Sequence, residues 1–255
     1  MDTATAGTQT ALGYQDRERT ERPVGLRPHI ERAFEAQHVT IDFAGFSGET
    51  LHGVIAEPLD KIRIGRLRPE SITVRLLLPD PSVPWSLPAT VGERADSPTF
   101  RKRAEEIMRR HTLAIVDSVN ELGELGLVKE ASAQIRVHPT APMFKLYMVN
   151  DEEAFFGFYP VREHVITFGG ETQTMYDLMG KDAILFHHSA NDDNTSTGSQ
   201  YVDQAKPGST ACGPASPLST SGERAGAPCS LARAPARLRR SSVLCFRGHP
   251  GLCCR

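Results

Sequence analysis

The chain has 255 residues, 39% of them apolar and 24% charged, an ordinary balance for a protein that buries a core in one domain or two small ones. No run of roughly eighteen apolar residues occurs, which excludes a membrane-spanning helix, and the N-terminus lacks the basic start and apolar centre of a secretory signal. The net charge of −2 divides unevenly: residues 207–255 carry seven arginines against the single acid Glu223, hence +6, and the first 206 residues carry −8. A body that acidic does not attract a phosphate backbone, so no direct nucleic-acid contact by this chain is expected.

Residues 1–25 read as a disordered, charged leader or linker. From Leu26, "LRPHIERAFEAQ" has apolar residues at helical spacing and leads into a strand over residues 39–46. A helix follows, started by Ser47 or Gly48, with Leu51, Val54, Ile55, Leu59 and Ile62 on one face; Pro58 should kink or interrupt it. "SITVRLLLPD" is apolar on both faces, as a central strand must be. The proline-rich loop "PSVPWSLPATVGERADSP" follows, its Trp85 read as a cover over the core edge.

Ser97 and Pro98 open a long helix as cap and first residue. Its apolar face holds Phe100, Ala104, Ile107, His111, Ile115, Val119 and Leu122, with His111 read as a core histidine and Gly126 as the closing cap. Short strands come next: "AQIRVHP", "MFKLYMVN", "EAFFGFYPV" and "REHVITF" before Gly169-Gly170. Two helix–strand units followed by consecutive strands imply an α/β fold, a mixed sheet flanked by helices, over residues 26–206.

Three groups invite chemistry. Lys145, on an apolar strand, either faces solvent or points into a pocket; there it would want an anion, and Tyr147, on the same strand face, would line the same cleft. The acidic run Asp151, Glu152, Glu153 has the look of a turn. His187, His188, Asp192 and Asp193 suggest a metal, but adjacent histidines diverge, so "FHHSANDDN" reads as a polar loop entering the last helix. No metal site and no cofactor are expected in the folded part.

All five cysteines, Cys212, Cys229, Cys245, Cys253 and Cys254, lie in the last 44 residues, so the body fits a reducing, cytoplasmic setting. Residues 207–255 read as a disordered tail; Cys245, His249, Cys253 and Cys254 also have chelate-like spacing. A shifted reading frame accounts for more. One permitted codon choice for "AKPGSTACGPAS", with a single G restored after the Lys206 codon, encodes Lys-Ala-Trp-Phe-Asp-Ser-Met-Trp-Ser-Ser-Ile, which continues the helix begun at "SQYVDQAK".

"ITVRLLLPD", the long helix and "IRVHPTAPMFKLYMVNDEEAFFGFY" together resemble one half of a phospholipase D-type fold. In that superfamily the strand carries His-x-Lys-x4-Asp, with a nucleophilic histidine and a phosphate-holding lysine. Here the positions are Met143, Lys145 and Asn150, with Asp151 adjacent, and no His-x-Lys occurs elsewhere. A thioether cannot attack phosphorus, so the resemblance implies a pseudoenzyme. "ERAFEAQHVTIDFAGFSGETLHGVI", "RRHTLAIVDSVNELGELGLV" and "FHHSANDDNTSTGSQYVDQAK" are similar to the C-terminal effector domain of actinomycete GntR-type winged helix-turn-helix transcription regulators. That implies a non-catalytic domain that senses a small, anionic effector or mediates homodimerisation, without its DNA-binding domain in this chain. The alternatives are a divergent phosphodiesterase using Lys145 and another base, and a standalone protein-interaction module.

Overall fold

The computed structural model describes residues 19–92 and 95–210. The expected leader up to residue 18, and the expected tail and shifted frame from residue 211, lie outside the described residues.

The first half of the domain is built from parallel strands joined by helices. After β1 (Arg19–Glu21), the short helix α1 (Arg27–Ala33) leads to β2 (His38–Ala44), α2 (Glu49–Arg63) and β3 (Ser71–Pro79). β4 (Ala89–Thr90) and the long helix α3 (Pro98–Glu124) precede β5 (Glu130–His138). β2, β3 and β5 pair in parallel in that order, which requires helical crossovers, supplied by α2 and α3. α2 buries Leu51, Val54, Ile55, Leu59 and Ile62, the stripe expected from its period. β3 lies between β2 and β5, buries Ile72, Val74, Leu76 and Leu78 in the main core, and turns Leu77 to the other face. Each fully buried Val, Leu or Ile there contributes about 1.5–3 kcal/mol relative to exposure.

The second half is antiparallel. β6 (Phe144–Val149) pairs with β2 and with β7 (Glu153–Phe158). Asn150 and Asp151, with φ of 51° and 57°, make the hairpin turn in the left-handed region that Asn and Asp tolerate. The Asn150 side chain accepts from Thr40 N at 2.9 Å and donates to the Ala33 carbonyl at 3.1 Å, tying the turn to β2 and to the end of α1. β8 (Val161–Phe168) and β9 (Glu171–Leu178) turn at Gly169-Gly170 and join β4 in a separate three-stranded sheet. β10 (Leu185–Ser189) returns to the main sheet beside β7, and α4 (Thr197–Thr210) follows. The main sheet is mixed and seven-stranded, in the order β1-β10-β7-β6-β2-β3-β5. α1, α2 and α3 bury their apolar stripes in the large cluster on one face, whereas Val202 of α4 packs on Leu77, Met148 and Ala154 on the other.

Four expectations need correction. Order begins before Leu26: β1 pairs with β10 and so completes the sheet edge, which a charged, unpatterned segment does not announce. "FHHS" is strand rather than loop, because β7 offers it an unpaired edge. α2 runs through Pro58 without interruption, with the proline buried in its apolar stripe. α4 continues past Lys206 to Thr210.

Candidate functional site

A cleft of about 350 Å³ opens beyond the C-terminal end of β2, between the start of α2, the middle of α3, and the loop after β9. Lys145 and Tyr147 both line it, brought to one face by the two-residue period of β6. Lys145 is only 2% exposed, so the solvent-facing alternative is excluded. Gly157 sits opposite it on β7, where any Cβ would collide with the Ile184 carbonyl.

Lys145 Nζ donates to the Gly180 carbonyl at 2.8 Å and lies 5.3 Å and 5.8 Å from the ring centres of Tyr159 and Tyr147. No carboxylate pairs with it among the described residues. Burial therefore lowers its pKa to about 8, with the charge of Glu49 opposing. Tyr147 is fully buried, and among the described residues no group meets hydrogen-bonding geometry with its hydroxyl, although Thr50 is near enough to offset part of the rise that burial imposes on its pKa. Tyr159, by contrast, accepts from Phe46 N at 2.8 Å.

The third feature of the cleft is the N-terminus of α2. Gly48, at φ 68°, caps it without a side-chain acceptor, and Gly48, Glu49 and Thr50 line the cleft. A helix N-terminus carries partial positive charge. Glu49 answers it in part, but is itself paired with Lys181 at 3.1 Å. A buried amine, an unpartnered hydroxyl and uncapped backbone donors thus converge on one space, the arrangement that receives an anion.

Local pattern did not reveal the remaining polar walls. His111 lies in the cleft rather than the core, its Nδ1 3.1 Å from that of His52, and burial lowers its pKa. Helical period puts it beside Ile107, and only the gap between α3 and α2 exposes it. His164 on β8 and Asp177 on β9 also line the cleft, Nδ1 3.2 Å from Oδ2. They belong to the second sheet, which no periodic signal connects to Lys145.

The other motif positions separate. Met143 is 48% exposed and does not line the cleft, and Asn150 is spent in the hairpin turn at the far end of β6. Asp151 sits in that turn as expected, but Glu153 opens β7, partly buried, beside His29 and His187. His187 and His188 take opposite faces: His187 stacks on Phe155 and His188 on Tyr201 of α4. Asp193 instead accepts from the Thr195 N–H and hydroxyl, a local turn before α4. No helix among the described residues is long and apolar enough to cross a membrane. Compared with known families, curated proteins and solved structures, the chain matches none.

Proposed function

We propose that this domain is a non-catalytic ligand-sensing module, the effector domain of a GntR-type transcription regulator with a degenerate phospholipase D-like site. The observation that carries the reading is Lys145: a buried amine, without a counter-charge among the described residues, opening onto a cleft of about 350 Å³. Burying an unpaired cation costs stability, and an arriving anion offsets that cost. The cleft suits a small phosphorylated or carboxylated molecule, with the Tyr147 hydroxyl and the first turn of α2 as further donors. Absence of catalysis is argued from Met143, whose thioether is no nucleophile and which stands outside the cleft. The dimerisation side of the reading rests on Phe144, Phe158 and Phe186, exposed on the α4 face of the sheet.

A second reading has its own observation. His164, held by Asp177 in the same cleft, is the kind of oriented imidazole that a divergent phosphodiesterase would use as a base with Lys145. One experiment separates the two. Thermal melts of the full chain with phosphate monoesters and small carboxylates should show stabilisation that Lys145→Met abolishes, with no turnover. Release of product from a generic phosphodiester, lost in both Lys145→Met and His164→Ala, would transfer the assignment to the hydrolase.

A further inference from the structure

Away from the cleft, at the turn end of the same hairpin, three side chains from three elements converge. His29 stands on α1, Glu153 opens β7 and His187 sits on β10, and their donor atoms all lie within 4.8 Å of one another. Glu153 Oε1 is the hub, 3.1 Å from His29 Nδ1 and 3.0 Å from His187 Nε2. One buried ring orients both imidazoles: His187 stacks on Phe155 at 4.3 Å, and His29 meets that ring edge-on at 4.9 Å. Two donors bound to one ion at about 2.0–2.1 Å stand about 2.9–3.4 Å apart at octahedral or tetrahedral angles, which matches both Glu153–His separations.

We propose that His29, Glu153 and His187 bind a divalent transition-metal ion of the zinc class, with a remaining position open to water. Two imidazole nitrogens and a carboxylate oxygen suit zinc, cobalt or nickel better than magnesium or calcium, which prefer all-oxygen sites. A replaceable cation already touches the cluster. Arg32 Nη2 is 2.8 Å from His29 Nδ1 and 3.4 Å from Glu153 Oε1, yet its side chain is 62% exposed and can swing into solvent at small cost. A bound ion would join α1 to β7 and to β10, the strand on which β1 depends.

Zinc(II) titrated calorimetrically into the full chain, with its cysteines alkylated so that thiolates do not compete, tests the site. Cobalt(II) titrated in the same way adds a visible spectrum. One equivalent should bind, with cobalt d–d bands and no thiolate charge-transfer band. His29→Ala and Glu153→Gln should each weaken binding at least about tenfold, whereas Arg32→Ala should tighten it about two- to fivefold by removing the competing cation. The site is wrong if the parent chain takes up no equivalent at submillimolar zinc, or if both ligand variants bind as the parent does. Should Glu153→Gln lose its far-ultraviolet circular dichroism, His29→Ala, on a peripheral helix, carries the same test.

Discussion

The hairpin β6–β7 holds a buried charge at one end and a partly buried one at the other, and the fold treats the two in opposite ways. At the open end, Lys145 meets one backbone carbonyl and two tyrosine rings, and burial pushes it toward its neutral form. At the turn end, Glu153 meets two imidazoles and a guanidinium, and the imidazoles hold its pKa below the usual carboxylate range against the opposing effect of burial. Four residues of strand, about 13 Å, separate Lys145 from Val149, the cross-strand partner of Glu153. A buried charge with too few partners destabilises the protein until a ligand arrives; one surrounded by partners fastens the elements that supply them. The first end has the character of a binding site and the second that of a clasp.

Lys145→Met is the sharpest way to break this contrast. The fall of the lysine pKa from 10.5 to about 8 corresponds to about 3–3.5 kcal/mol of unfavourable burial at neutral pH. The variant should gain about that much in a denaturant titration while losing anion binding; a destabilised variant would mean the amine is structural. The sign extends to pH. Between about 8 and 10.5 the unfolded chain keeps a proton that the folded chain has released, so parental stability should rise through that window and the increment should vanish in Lys145→Met. Anion affinity should run the other way, falling about tenfold per pH unit above about 8, because binding must then recruit a proton.

At the other end, Glu153→Gln keeps the shape but removes the charge, and should cost about 1–2 kcal/mol with faster amide exchange in β10 and β1. Unchanged exchange there would mean the cluster fastens nothing. Tyr147→Phe, which deletes an unpartnered buried hydroxyl, should leave stability unchanged or raise it by up to about 1 kcal/mol while weakening anion binding. Arg32→Ala should shift stability least, by no more than about 0.5 kcal/mol in urea, since the guanidinium is largely exposed.

Much of this architecture is written locally. The apolar stripes of α2 and α3, the Ser97–Pro98 start of α3, and the two-faced apolar run of β3 each follow from residues a few positions apart. So does the placing of Lys145 and Tyr147 on one face, which needs only the pleat of one strand. Trp85 is also buried as its neighbours suggest, its indole N–H donating to the Asp80 carbonyl at 2.7 Å. Strand β10 is not legible in this way, because "LFHHS" becomes a strand only when β7 presents its edge. His111 departs from its expected core position because a helical period reports which face is inward, not whether a neighbouring helix fills the space there.

The α/β class, the acidic body, and the shared face of Lys145 and Tyr147 follow from the order of residues alone, since composition and short-range periodicity are properties of contiguous residues. The burial of Lys145, the entry of His164 and Asp177 into its cleft, and the meeting of Glu153 with His29 and His187 arise in the folded chain. Those encounters join residues up to 124 positions apart, brought together by strand order and sheet closure. Burial then pushes Lys145 toward its neutral form, because a charge's energy depends on which groups replace the water around it.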